Sequence, residues 1–139
     1  MSGVQTPKIA HHTDPRILLV EDEKDLAKLI CEILSTLPAR VTVAKNGREA
    51  IRIIESDQSF DLVLLDLVLP QLSGLDVLRR LRQISTSTKV ILSTGYVASL
   101  DSKDLTGLEI SGLLGKPYLP KELLAAVRAA LWPELESGQ

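Results

Sequence analysis

The chain has 139 residues, with 16 Lys or Arg and 18 Asp or Glu, so its formal net charge is −2. This length suits one domain of ordinary size, and a hydrophobic share of 45% excludes wholesale disorder. The slight acidic excess argues against a dedicated nucleic-acid binder. No apolar run reaches the ~18–20 residues that a membrane span requires. The polar N-terminus and the single cysteine favour a cytoplasmic protein.

The two ends of the chain lack the hydrophobic periodicity of the middle. Residues 1–14 are polar and stop at a proline, and residues 133–139 begin with another proline. We predict that these stretches are tails around one folded domain of residues 15–132. His11 and His12 lie in the first tail, where they are better explained as disordered polar residues than as metal ligands.

Short apolar runs alternate with amphipathic segments along residues 15–132. Such runs are typical of strands buried on both faces, and apolar residues at every third or fourth position are typical of helices. In chain order the predicted elements are strand 17–20, helix 26–37, strand 41–43, helix 46–54, strand 62–65, helix 74–83, strand 90–92, helix 97–108, strand 113–114 and helix 121–132. The alternation predicts an α/β fold, a parallel sheet with helices on both faces.

Chemically reactive side chains follow four of the predicted strands. Glu21 and Asp22 follow the first strand, Asp66 the third, Thr94 the fourth and Lys116 the fifth. Ligands of such sheets bind at the carboxyl ends of the strands, where these groups would meet. Crowded carboxylates favour a hard divalent cation such as Mg²⁺, and a carboxylate can act as a nucleophile towards a phosphoryl group. The pattern therefore indicates metal-assisted phosphoryl transfer.

These groups stand within motifs that resemble the receiver domains of two-component response regulators. The motifs are Ile17 to Glu23 (ILLVEDE), Asp61 to Asp66 (DLVLLD), Pro70 with Gly74, Ser93 to Tyr96 (STGY) and Lys116 to Tyr118 (KPY). They occur in the family's order and spacing across nearly the whole predicted domain. The resemblance implies a flavodoxin-like, doubly wound sheet of five parallel strands in the order 2-1-3-4-5.

The resemblance also assigns a role to each site residue. It implies that Asp66 accepts the phosphoryl group and that Asp22 and Asp66 bind Mg²⁺ (or Mn²⁺) directly. Glu21 would bind the ion mostly through water, and Val68 would contribute its backbone carbonyl. Thr94 would be the switch hydroxyl and Lys116 the phosphoryl-binding cation.

Three further positions are expected to shape the same site. The resemblance implies a cis peptide bond before Pro117. The side chains of Val68 and Tyr96 would flank the phosphoryl group and tune its lifetime, and because both are bulky we expect slow self-hydrolysis.

The sequence departs from the family pattern at three positions. Leu113 stands where the family often has an aromatic switch residue, so rotation of an aromatic ring towards Thr94 is not available. Glu21 replaces the commoner Asp. Leu119 replaces the usual Ser or Thr cap of the last helix, which removes a capping bond of about 1 kcal/mol.

The expected partners follow from the resemblance. The phosphoryl donor would be a histidine kinase or a histidine phosphotransfer protein. A downstream protein effector, or a second copy in a phosphorylation-dependent dimer, would bind the face formed by the fourth predicted helix, the fifth strand and the last helix. Neither direct nucleic-acid binding nor membrane binding is expected. The domain would catalyse only its own phosphoryl transfer and dephosphorylation, so it is not expected to be an enzyme in the ordinary sense.

Other functions fit the residues less well. A haloacid-dehalogenase-type phosphatase needs a second acid at the position of Val68, and a flavodoxin needs a phosphate-binding loop where Glu21 and Asp22 stand. Two alternatives stay open, a receiver that belongs to a hybrid histidine kinase and a pseudo-receiver that binds partners without phosphorylation.

Several residues have simple structural interpretations. Cys31 is expected to be a buried thiol of the first helix. Arg79, Arg80 and Arg82 are expected to form a solvated helix face.

Overall fold

The computed structural model describes residues 14–95 and 105–134. In chain order its elements are β1 (Arg16–Val20), α1 (Lys24–Leu34), β2 (Arg40–Ala44), α2 (Gly47–Ser56), β3 (Leu62–Asp66), α3 (Gly74–Ile84), β4 (Lys89–Thr94), β5 (Gly112–Gly115) and α4 (Pro120–Leu131). His11, His12, Tyr96 and most of the predicted helix 97–108 lie outside the described residues. The described helices include none that is long and apolar enough to cross a bilayer.

The five strands form one parallel sheet in the order β2-β1-β3-β4-β5, which confirms the predicted topology. β3 is buried at every residue, as expected for a central strand covered on both faces. β2 and β5 lie at the edges and are only partly buried. All five strands run in the same direction, so their carboxyl ends meet at one edge of the sheet.

Two apolar cores pack on the opposite faces of the sheet. Successive strand residues point to opposite faces, so each central strand contributes to both cores. One core includes Leu18 and Leu65 and packs against α2 and α3, and the other includes Leu19 and Leu64 and packs against α1 and α4. This two-sided burial explains why the central strands are continuous apolar runs rather than alternating ones.

Side-chain caps fix the N-termini of α2 and α3. The Asn46 carboxamide oxygen accepts the Glu49 backbone N–H at 2.8 Å at the start of α2. Ser73 and Asp76 form a reciprocal capping box at α3. Each cap satisfies backbone N–H groups that the helix itself leaves without acceptors.

The N-terminus of α4 is only half capped. Leu119 has no side-chain oxygen, so the first turn lacks the usual capping bond, as the sequence predicts. The Glu122 carboxylate accepts the Leu119 backbone N–H at 2.7 Å and supplies one of the two bonds of a capping box.

Arg82 does not form the solvated helix face expected from the sequence. Its guanidinium donates to the backbone carbonyls of Glu109, Ser85 and Thr88 at 2.6–3.2 Å. The prediction for Arg82 was wrong because these carbonyls converge at the C-terminus of α3, where a planar guanidinium can bind them together. Burial also lowers the pKa of Arg82.

The neighbouring arginines and the cysteine behave more simply. Arg79 and Arg80 lie on the surface and form ion pairs with Asp76 and Glu55. Cys31 is half-buried rather than fully buried, and it packs against the core beside α1.

Candidate functional site

Asp66 is the last residue of β3 and lies in the middle of the sheet edge. Asp66 is only 5% exposed, and its Oδ1 accepts the Val68 backbone N–H at 3.0 Å. The backbone after Asp66 is bound to β4, because the Leu67 N–H donates to the Ser93 carbonyl at 2.9 Å. The carboxylate is therefore held in place by the sheet and by its own loop.

Gly74 brings α3 into direct contact with the end of β3. Its N–H donates to the Leu67 carbonyl at 3.1 Å. A Cβ at this position would lie 2.4 Å from the Asp66 carbonyl oxygen and 2.7 Å from the Leu67 Cα. Only a residue without a side chain fits, so Gly74 sets how closely α3 approaches Asp66. The sequence analysis found Gly74 as part of the family motif with Pro70, but it did not predict the contact between Gly74 and the end of β3.

Glu21 and Asp22 meet Asp66 at the carboxyl end of β1. Each of the three residues offers a carboxylate oxygen, and these oxygens lie within 4.8 Å of one another. Glu21 is 3% exposed, whereas Asp22 is open to solvent. Burial raises the pKa of Glu21, and the charge of Asp66 adds to this effect. Clustered hard oxygen donors, one of them facing solvent, fit a small divalent cation that retains several waters.

Lys116 joins the buried carboxylates from the end of β5. Its Nζ lies 2.9 Å from Asp66 Oδ2 and 3.2 Å from Glu21 Oε1. Burial by itself would lower the pKa of Lys116, but the hydrogen bond and charge of Asp66, together with Glu21, outweigh burial and raise it. The lysine is therefore an ammonium ion that offsets the carboxylate charges. The contact with Glu21 was not predicted, because strand position does not reveal which neighbour a long side chain reaches.

The backbone around Lys116 links it to Thr94. The Lys116 N–H donates to the Thr94 carbonyl at 2.8 Å. The peptide bond between Lys116 and Pro117 is cis, which confirms the expectation from the resemblance. Thr94 is buried at the end of β4, next to Gly95, where an added Cβ would meet no atom of the described residues within 4 Å.

Two apolar side chains near these groups are exposed. Val68 is 59% exposed and lies two residues beyond Asp66, and Leu113 is 39% exposed on β5. Tyr96, the other residue expected to tune the phosphoryl lifetime, lies outside the described residues. The structure thus brings Glu21, Asp22, Asp66 and Lys116 together, with Thr94 on the neighbouring strand.

Known proteins share this architecture. The family model of the response regulator receiver domain matches residues 17–128. The structure resembles a CheY-like response regulator receiver domain protein from Methanospirillum hungatei JF-1, with a TM-score of 0.80 and 27% identity. The match covers 91% of this chain and 100% of that one.

Two transcriptional regulators are similar in sequence. The transcriptional regulatory protein YkoG of Bacillus subtilis is 43% identical over 117 residues, which cover 83% of this chain and 50% of YkoG. The transcriptional regulatory protein CpxR of Escherichia coli K12 is 39% identical over 129 residues, which cover 88% of this chain and 53% of CpxR. The chain thus spans about half the length of these relatives. By the family match and by these relatives, the chain belongs to the receiver domains of two-component response regulators.

Proposed function

We propose that Asp66 accepts a phosphoryl group from the phosphohistidine of a histidine kinase or phosphotransfer protein. The observation that carries this proposal is the position of Asp66 inside the buried cluster, 2.9 Å from the Lys116 ammonium. A carboxylate oxygen of Asp66 would form the new bond to phosphorus as the phosphorus–nitrogen bond of the donor breaks. The imidazole would leave with the electron pair and take up a proton.

The chain's own cations and donors would bind the transferred group. Lys116 already contacts Asp66 and would donate to a phosphoryl oxygen once the carboxylate is esterified. The Thr94 hydroxyl would donate to a second oxygen, drawing the end of β4 towards the acceptor. The open space beside Gly95 would admit the incoming group.

A divalent cation would complete the charge balance. Glu21, Asp22, Asp66 and the Val68 carbonyl would hold Mg²⁺ or Mn²⁺, with Glu21 acting mostly through water. The ion would neutralise charge on the phosphoryl oxygens. Support for this assignment comes from the spacing of the three carboxylates.

The phosphorylated form would present a changed surface to a partner. Phosphorylation adds a charge of about −1.5 to −2 at Asp66, which biases a two-state equilibrium of the surrounding loops. Leu113 lies at the family's switch position and cannot supply an aromatic ring. The readout would therefore depend on movement at Thr94 and on the face made by β5 and α4. An effector protein or a second copy would bind that face.

The remaining assignments concern the chain as a whole. We place the folded domain at residues 15–132, with tails on either side, in the cytoplasm. Its chemistry is limited to its own phosphoryl transfer and hydrolysis. Bulky side chains at Val68 and Tyr96 would slow hydrolysis by shielding the phosphoryl group.

Intact-mass spectrometry tests the proposed acceptor chemistry. The protein is incubated with acetyl phosphate or phosphoramidate, with and without Mg²⁺, beside an Asp66→Asn variant. One added phosphoryl group is expected in the wild type with Mg²⁺, and none in the variant or without the ion. No adduct, under conditions that modify a known receiver, would favour a pseudo-receiver that binds its partner without phosphorylation.

A further inference from the structure

A groove lies between α1 and the edge strand β2, beside the acid cluster. Its volume is about 360 Å³, and its wall is predominantly apolar. Ala27 and Cys31 line it from α1, and Val43 lines it from β2. Because β2 ends the sheet, no further strand of the described residues covers the groove on that side.

Three lysines surround the apolar wall. Lys24 and Lys28 come from the same face of α1 as Ala27 and Cys31, and Lys45 follows β2. All three are exposed, and within residues 14–95 and 105–134 none of their ammonium groups makes an ion pair or a hydrogen bond. Their methylene stems add apolar surface while their ammonium groups attract anions.

The acids at the groove leave this positive charge in excess. Glu21 and Asp22 line one end, but the Glu21 carboxylate already binds the Lys116 ammonium at 3.2 Å. That ammonium is shared with Asp66, so the groove lining carries three lysines against the two carboxylates of Glu21 and Asp22. A cationic ligand would be repelled, and an uncharged ligand would gain no ionic attraction from the three ammonium groups.

The groove has the size and lining of a small-molecule site. Such sites occupy about 300–1,000 Å³ and combine an apolar wall with a few convergent polar groups. We propose that the α1–β2 groove binds a small amphipathic organic anion. The apolar body of the ligand lies against Ala27, Cys31 and Val43, and its acid group lies among the lysines. This inference goes beyond phosphoryl acceptance by Asp66 and does not depend on it.

A pair of matched fluorescent probes tests the class of ligand. 1-Anilinonaphthalene-8-sulfonate has an apolar body and an acid group, and N-phenyl-1-naphthylamine has the same body without the acid. Saturable one-to-one binding of the sulfonate is expected, about tenfold tighter than that of the amine, since three weak ion pairs together supply this much. Equal affinities would overturn the proposal, as would binding of an acidic leucine-containing peptide without binding of the sulfonate.

Charge variants test whether the lysines are responsible. The triple variant Lys24→Gln, Lys28→Gln and Lys45→Gln should bind the sulfonate about tenfold more weakly while melting like the wild type. A control triple variant removes the same charge from exposed residues outside the groove, namely Arg52→Gln, Lys121→Gln and Arg128→Gln. Equal losses in the two variants would show a general charge effect and would contradict the proposed site.

The single cysteine of the chain reports where the probe binds. Because Cys31 lines the groove, saturating sulfonate should slow its alkylation by N-ethylmaleimide about tenfold in the wild type. At the same probe concentration the lysine triple variant, which binds about tenfold more weakly, should show only about twofold protection. An alkylation rate that the sulfonate leaves unchanged in the wild type would place the probe elsewhere and overturn the proposal.

Discussion

At the scale of single residues, the site is a balance of buried charges. The Lys116 ammonium contacts both Asp66 and Glu21, two carboxylates that are almost wholly buried. A divalent cation at the same oxygens would compete with this ammonium. Lys116 would therefore have two opposite effects: it would stabilise the metal-free protein, and it would weaken the attraction for a metal ion.

Replacing Lys116 by Met should separate these effects. We expect the variant to lose about 3–5 kcal/mol of unfolding free energy without Mg²⁺, because two buried carboxylates lose their counter-ion. We also expect Mg²⁺ to raise its melting temperature more than that of the wild type. Thermal melts across a Mg²⁺ titration measure both, with Lys121→Met, an exposed lysine of α4, as the control. Equal Mg²⁺ responses would show that Lys116 does not compete with the ion.

Asp57 provides a residue-scale test away from the site. A hydrogen bond from Ser59 and the contact with Arg16 lower the pKa of Asp57 from 3.8 to about 2. A carboxyl group whose pKa is lower in the folded protein stabilises the fold above pH 4, and this contribution disappears as the pH falls towards 2. Denaturant unfolding from pH 5 to pH 2 should therefore show a smaller loss of stability in Asp57→Asn. If the wild type and Asp57→Asn lost the same stability between pH 5 and pH 2, the lowered pKa of Asp57 would be contradicted.

The sequence located the reactive residues but not their side-chain contacts. Glu21, Asp66 and Lys116 could be found because parallel strands place successive strand ends at one edge. The ion pair between Lys116 and Glu21 and the carbonyl contacts of Arg82 depend on the directions of long side chains. Hydrophobic periodicity carries no information on those directions.

At the scale of elements, the junction of β3 and α3 positions the acceptor. Gly74 allows the first turn of α3 to touch the Asp66 backbone, which no larger residue permits. The end of β3 and the start of α3 therefore form one packed unit.

Gly74→Ala should lower the stability of the fold and disturb the proposed metal site. Ala normally favours a helix over Gly by about 1 kcal/mol, but here its Cβ would collide with backbone, so a net loss of about 1–3 kcal/mol is expected. The Mg²⁺-induced rise in melting temperature should also shrink. Gly112→Ala is the control, because its Cβ would lie an ordinary 3.5 Å from Ile91. A stabilised Gly74→Ala protein would contradict the packing argument.

The half-capped N-terminus of α4 gives a second prediction for an element. Leu119→Ser adds the missing acceptor while Glu122 keeps its bond, so we expect a gain of about 1 kcal/mol in unfolding free energy. Leu119→Ala removes the same exposed side chain without adding an acceptor and should give no such gain. Denaturant unfolding compares the three proteins, and equal stability of the two variants would exclude a capping effect.

The predicted elements agree with the structure where their pattern is strong. β1, β3 and β4 were recognisable as continuous apolar runs. β5 has the weakest pattern of the five predicted strands because its ends are glycines, Gly112 and Gly115, and only two apolar residues lie between them. The sheet order followed from the family resemblance rather than from hydrophobicity, because periodicity does not distinguish one neighbouring strand from another.

At the scale of the whole molecule, folding itself assembles the acid cluster. The three carboxylates come from two strands that pair only in the folded sheet. A cation that binds them therefore stabilises the folded state, and its effect grows with concentration.

Millimolar Mg²⁺ should raise the melting temperature of the wild-type protein. The gain in unfolding free energy reaches about 2.7 kcal/mol when the ion is present at a hundred times its Kd. Asp22→Asn should blunt this rise, since it removes a charged ligand. Glu23→Gln, which changes an exposed acid outside the cluster, should retain it. A rise of the same size in all three proteins would point to a non-specific salt effect.

Locating the phosphorylated residue tests the proposed role of Asp66 most directly. After incubation with acetyl phosphate and Mg²⁺, borohydride reduces an aspartyl phosphate to homoserine, which tandem mass spectrometry can place in the sequence. The tryptic peptide that contains Asp66 also contains Asp57, Asp61 and Asp76, which serve as internal controls. We predict homoserine at position 66 alone. Homoserine at another acid of this peptide or at Asp22, or none in a protein that carries the added phosphoryl mass, would contradict the assignment of Asp66 as acceptor.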